Sequence, residues 1–115
     1  MKITENTQSL KRRNDFNRLY RRGKNEVGGY IAVYSMKNRM NSNRLGLTVN
    51  KSVGKAIVRN RTKRLLRECY RSFEDRLPSG YDFVLVARSR AAGKSLSQLE
   101  RDLGYVLKKS DLLDK

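Results

Sequence analysis

There is no histidine in these 115 residues. That removes the commonest general acid–base group and the commonest metal ligand. Cysteine occurs once, at Cys69, so a disulfide within the chain and a metal site built on a cysteine pair are both excluded. Acidic side chains are scarce, 11 against 27 lysines and arginines, and they form no paired-carboxylate motif. A phosphate loop of the GxxxxGK type is also absent. Catalysis by this chain's own side chains is therefore not expected; any reaction it joins should belong to a partner. No apolar run approaches the roughly 20 residues needed to span a bilayer, so a membrane is not an expected partner. The opening MKITENTQSL holds no apolar stretch and no small-residue cleavage site, which argues against an export signal. Together with the single cysteine, this fits a reducing cytoplasm as the expected location.

What the chain has instead is positive charge, placed unevenly. The formal net charge is +16. Residues 11–71 hold 18 basic side chains against Asp15, Glu26 and Glu68, while the remainder holds 9 basic and 8 acidic ones. A field concentrated in one part of the chain points to a polyanionic partner. The apolar residues still fall in periodic runs, so one globular domain over residues 1–115 is expected, with 1–8 frayed.

The periodicity gives an order of α-β-β-α-β-α. Asn14 is a candidate cap for a short helix over 15–22 that Gly23 ends, and Phe16 and Tyr20 share one of its faces. Residues 24–29 read as a loop. A strand over 30–36 turns Tyr30, Ala32, Tyr34 and Met36 one way, with Ile31 and Val33 the other. The polar run 37–43 reads as a mobile hairpin loop. The return strand, 44–49, turns Leu45, Leu47 and Val49 to the core. A long helix over 56–75 has Val58, Thr62, Leu65, Leu66, Cys69, Tyr70 and Phe73 as its buried stripe. Cys69 is thus a small core residue rather than a nucleophile. Asp82 reads as a turn residue ahead of a strand, with weak cation binding as the lesser alternative. The strand 83–87, FVLVA, is apolar throughout, as strands inside a sheet are. Ser95 and Gln98 form a capping-box pattern for a last helix whose inner side carries Leu96, Leu99, Leu103, Val106 and Leu107. Three strands with helices on one face make an α+β fold, a two-layer α/β sandwich, with the first helix near the sheet's edge.

Two features carry candidate chemistry. On the long helix, Asn60, Lys63, Arg64, Arg67 and Arg71 lie opposite the apolar stripe. Their charges are of one sign, so they repel rather than pair. Arginine forks match phosphate oxygens, and the loop 51–55 feeds backbone amides into the helix N-terminus. The second feature is the set Phe16, Tyr20 and Tyr34 among arginines. Such rings suit unpaired bases, which stack without one required sequence. Filling the core is the equal alternative for them.

Residues 44–68, RLGLTVNKSVGKAIVRNRTKRLLRE, resemble the signature of the bacterial ribonuclease P protein subunit. Arg59-Asn60-Arg61, then Lys63-Arg64 and Arg67-Glu68, is the most specific part. Asp15-Phe16, Tyr20, Gly23, the 30–34 strand and 82–88 follow in matching order, so the resemblance covers about residues 9–109. It implies a protein that binds a large catalytic RNA, expected as a 1:1 ribonucleoprotein, and joins it in removing the 5′ leader of precursor tRNA. The RNA would carry the active site and its magnesium, with no metal held tightly by the protein and no obligate protein partner. By this resemblance Lys51, Lys55, Arg59, Asn60, Arg61, Lys63, Arg64 and Arg67 bind the RNA subunit. Phe16, Tyr20, Ala32 and Tyr34 line a cleft for the single-stranded leader, flanked by Arg88 and Arg90. The resemblance also implies an uncommon left-handed β-α-β crossover, against the general rule. A basic ribosomal protein of similar fold is the alternative, and a free-standing nuclease a third reading that the missing histidines and clustered acids disfavour.

Overall fold

The computed structural model describes residues 6–113. Its elements are β1 (Thr7–Ser9), α1 (Arg13–Arg22), β2 (Lys24–Val27), β3 (Ile31–Lys37), β4 (Asn43–Val49), α2 (Ala56–Phe73), β5 (Tyr81–Ala87) and α3 (Leu96–Lys109). The expected α+β class holds, and the expected elements are all present. Two strands are added, β1 and β2, at the two edges of a five-stranded sheet ordered β1-β4-β5-β3-β2. Thr7 and Gln8, read as frayed, pair in parallel with Asn43 and Arg44. Residues 1–5 of that frayed stretch lie outside the described residues. The stretch 24–27, read as loop, pairs antiparallel with 32–35. Most of β2 is exposed, so it carries no apolar alternation by which a strand announces itself.

The hairpin expected between β3 and β4 does not form. β5 lies between them, antiparallel to β3 and parallel to β4. The physical reason lies in β5 itself. Phe83, Leu85 and Ala87 face one layer and Val84 and Val86 the other, so only a central position buries both sides. The 38–42 connection must therefore pass the end of β5. It is tied there rather than loose: Asn38 receives Met40 N–H and donates to the Ser42 carbonyl and to Asp82. Gly80 meets this connection closely. Its φ is +81°, and a Cβ there would lie 2.8 Å from the Met40 carbonyl oxygen.

α2 and α3 cover one face of the sheet. Leu66, Cys69 and Tyr70 from α2 and Leu99, Leu103, Val106 and Leu107 from α3 meet Ile31, Val33, Leu45, Phe83 and Leu85 in the main core. The expected stripe of α2 is the buried one, and Thr62 satisfies its hydroxyl on the Val58 carbonyl at 2.8 Å. Leu96 departs from expectation: it stays 37% exposed, since it is the first helical residue after the cap. The capping box forms as expected: Ser95 Oγ accepts from Gln98 N–H, and Gln98 Oε1 accepts from Ser95 N–H. Asp102 of α3 has a role not read from the sequence. Its carboxylate accepts from the backbone N–H groups of Gly29, Tyr30 and Ile31, each at 2.9 Å, fastening the β2–β3 turn to α3.

α1 is not at the sheet's edge. It crosses the opposite face over β3 and β5, where Leu19 and Leu10 close a second, smaller core with Val84. Layers thus lie on both sides of the sheet. Asn14 does not cap α1; the helix begins two residues earlier than expected, at Arg13 after Arg12, with no side-chain cap. Gly23 ends it through N–H donation to Leu19 C=O, in extended rather than left-handed geometry.

Candidate nucleic-acid interfaces

The outer face of α2 is the first candidate surface. Asn60, Arg61, Lys63 and Arg64 are exposed, and Arg59 and Arg67 half-buried. Among the described residues the only ion pair on this helix joins Arg71 to Glu68 at 3.3 Å, near its C-terminal end. The preceding turns keep like charges together, as their sign predicts. Lys51 and Lys55 are exposed at the entrance to the helix. No acid stands in the first turn and no side chain caps it, so the positive end of the helix dipole adds to the same field. Arg61 leans on the Lys94 carbonyl at 3.4 Å. Ile57, missed in the sequence, is 84% exposed among these cations. Its place one residue off the apolar stripe was the available signal.

The second surface lies on the other face of the sheet. Tyr20 and Tyr34 meet edge to face at 5.0 Å between centroids, and Phe16 follows at 6.4 Å from Tyr20. Tyr20 is 38% exposed and shares a 2.8 Å hydrogen bond with Thr48. Phe16 packs against Leu10 and lies over Gly46, where a Cβ would come within 2.5 Å of the ring. Ala32 is buried beside Val86, and Val86 is flanked on its other side by Thr48. These residues form the floor beyond the aromatic wall. Strand alternation puts Arg88 on this same face. Its Nη1 donates to the Gly28 carbonyl at 2.6 Å. Arg90 is exposed in the turn Ser89–Ala91, which packs against the turn Lys51–Val53. Arg88 and Arg90 therefore stand at the end of the sheet where the α2 entrance also lies.

An ion network holds α1 over this floor, and Asp82 is its centre. The turn role expected for Asp82 is not what the structure shows. It is 1% exposed, inside β5 on the α1 face. Arg44 donates to it from Nε at 2.9 Å and Nη2 at 2.7 Å, and Asn38 Nδ2 donates at 2.9 Å. Asp15 of α1 reaches Arg44 at 3.5 Å, and Arg18 of α1 lies 3.1 Å from Asp15 and 3.6 Å from Asp82. The hydrogen bond to Asp82 raises the Arg44 pKa, against the opposing effect of burial. Arg44, Asn38 and Arg18 are 38, 44 and 64 residues from Asp82 in sequence, so no local pattern could have joined them. Arginine occupies these two carboxylates, which leaves them poorly suited to a cation. Among the described residues no three histidine, cysteine or acidic side chains cluster as a metal site would need. Among them, too, no helix is long and apolar enough to cross a membrane.

This geometry has known counterparts. Residues 4–111 match the family model for ribonuclease P. The chain belongs to the ribonuclease P protein family. Ribonuclease P protein components from Natranaerobius thermophilus and Clostridioides difficile are similar to it. The first is 40% identical over 107 residues, spanning 93% of each chain. The second is 35% identical over 107 residues, covering 92% of this chain and 94% of its own. The Staphylococcus aureus RNase P protein superposes with a TM-score of 0.83 at 29% identity, over 92% of this chain and 97% of that one. The Thermotoga maritima RNase P protein superposes at 0.79 and 31% identity, over 89% and 96%. Family membership gives the chain a role in the tRNA-processing holoenzyme, with RNA binding and partnership with the ribonuclease P RNA. It also displaces the ribosomal-protein alternative.

Proposed function

We propose that α2 binds the ribonuclease P RNA while the cleft beside α1 holds the 5′ leader of precursor tRNA. One observation carries this reading. Two surfaces suited to RNA occupy opposite faces of one sheet, a rigid basic helix and an aromatic-walled floor, and they approach each other at Lys51, Lys55, Arg88 and Arg90.

Each surface has its own task. Arg59, Arg61, Lys63, Arg64 and Arg67 lie along a helix of about 27 Å, set by 1.5 Å per residue. That spacing lets them screen and grip phosphates on a folded RNA, with Arg forks supplying paired hydrogen bonds. Asn60 adds a neutral amide that both donates and accepts. On the other face an extended strand lies over Ala32, with Tyr20 and Tyr34 at its bases and Arg88 and Arg90 toward its phosphates. Unpaired bases stack on such rings regardless of sequence. The RNA subunit supplies the active site and its magnesium ions. The protein contributes position: it fixes the leader relative to the RNA to which α2 is bound, in a 1:1 particle.

The test is precursor-tRNA cleavage at low magnesium, with RNA subunit alone, protein alone and the two together. Cleavage is expected only in the mixture, and it should fall when Tyr20 is replaced by alanine. Cleavage by protein alone, or no stimulation of a matched RNA, would overturn the reading.

A further inference from the structure

The outer side of α3 carries an aromatic and basic stripe that neither surface above uses. Gln98, Arg101, Tyr105 and Lys108 are all exposed and recur at three- and four-residue spacing, so they share one face. Tyr105 is 58% exposed, the most open aromatic side chain in the described residues. Its ring stands between two hollows. One, about 380 Å³, is shared with Tyr30, Gln98, Arg101 and Asp102. The other, about 400 Å³, is shared with Phe73, Arg76, Arg101 and Lys108. Each of the three rings has a cation beside it: Lys94 at 5.2 Å from Tyr30, Arg76 at 5.0 Å from Phe73, and Lys109 at 5.8 Å from Tyr105. These are all the cation–ring pairs in the described residues, and all lie on this side.

The carboxylates nearby are already engaged. Asp102 accepts three backbone N–H groups, Glu100 accepts from Ser72, and Glu26 pairs with Lys109. Arg76, Lys94, Arg101 and Lys108 make no ion pair with an acid in the described residues. An open ring flanked by two hollows, with arginine and lysine around it, fits unpaired bases and their phosphates. A second copy of this chain would bring its own excess of positive charge to the same place.

We infer that this stripe is a third RNA contact, taking a short unpaired segment of the RNA subunit between Tyr30, Tyr105 and Phe73. The inference rests on the proposal that α2 binds that RNA. The source follows from continuity: α3 packs beside α2 on the same sheet face, and Arg61 and Ser72 of α2 reach Lys94 and Glu100 across the join. The leader cleft is on the far side of the sheet. From Gln98 to Lys108 the stripe runs about 15 Å, room for a few nucleotides.

The test compares Tyr105→Ala, Tyr105→Phe, Arg101→Ala and Arg64→Ala in the full chain, each titrated with the matched RNA subunit over a range of salt. Tyr105→Ala should weaken binding by about 5-fold to 100-fold if a base stacks there, and Tyr105→Phe should bind like the parent. Arg101→Ala should reduce the log–log salt slope by about one unit. Chemical probing of the RNA should show a single-stranded segment protected by the parent and exposed with Tyr105→Ala. If Arg64→Ala weakens binding and the α3 variants do not, the third contact is refuted while the α2 interface stands. If Arg64→Ala leaves binding unchanged and the α3 variants weaken it, the third contact stands and the α2 proposal fails. Loss confined to precursor tRNA, or to self-association of the protein, would also refute this assignment.

Discussion

Replacing Asp82 by asparagine removes one charge from the centre of the network that holds α1 on the sheet. Asp82 accepts two hydrogen bonds from Arg44 and one from Asn38, with Arg18 near. The new amide turns a donor toward a guanidinium that also donates. Breaking a buried pair typically costs about 3–5 kcal/mol because one charge is left uncompensated. Two features reduce that here: the Arg44 side chain retains 24% exposure, and Asp15 still lies 3.5 Å away. A loss of about 2–3 kcal/mol is therefore expected. Urea unfolding followed by circular dichroism measures it, with the midpoint lowered and the denaturant slope unchanged. Because Asp15 and Arg18 are on α1, leader affinity should fall along with stability. Pairing the substitution with Arg44→Met in a double-mutant cycle should give a coupling of at least about 1 kcal/mol. A stability loss under about 0.5 kcal/mol, the level of an ordinary surface change, would refute the view that Asp82 anchors α1.

Other consequences are open to direct measurement. Arg64→Ala and Arg67→Ala should each lower affinity for the RNA subunit and flatten its salt dependence, by at most about one unit of slope per lost phosphate contact; an unaltered slope argues against direct contact. Tyr20→Ala should cost about 1–3 kcal/mol in binding leader-bearing precursor tRNA. Mature tRNA should be unaffected, and equal losses for both would point to a folding role. Phe16→Ala is a poorer test, because its partly buried ring packs on Leu10 and Gly46 and its removal should destabilise the fold as well, by less than the about 3–5 kcal/mol of a fully buried ring. Burial pushes the Cys69 thiol from an ordinary 9.0 up to about 12, with Glu100 and Glu68 adding to the effect. The folded chain then holds a proton that the unfolded chain releases. Stability from this group is complete below pH 9 and is lost as pH rises toward 12, at up to about 1.4 kcal/mol per pH unit. Cys69→Ala should reduce the alkaline decline seen in urea unfolding. Some decline should remain, because burial also raises the Tyr70 hydroxyl; an identical decline in both proteins would sink the assignment.

Much of the architecture was legible because it is local. The stripe of α2 repeats every three or four residues, the box at Ser95 and Gln98 spans one turn, and β5 is apolar on both sides. The like-signed face of α2 needs only helical geometry to be read. The edge strands were not legible, since Lys24–Val27 alternates nothing and Thr7–Ser9 gains its order from distant partners, the β4 ladder and the hydrogen bonds of Thr7 to Tyr70 and Glu74.

The α1 cleft shows the same division. Phe16, Tyr20, Ala32 and Tyr34 could be named from the family signature, but their inequality could not. Phe16 is packed over a glycine 30 residues away, whereas Tyr20 stands open beside Thr48.

By itself the chain's order of residues determined the helices, the central strand, the basic face and the family. Only the tertiary structure decided that β5 enters between β3 and β4, that α1 crosses the opposite face, and that Asp82 is a buried anchor. Periodicity records which side of an element is apolar. It does not record which distant strand completes a hydrogen-bond ladder or which distant charge compensates a buried one. Those choices are made when the layers close on one another and each buried polar group must find a partner.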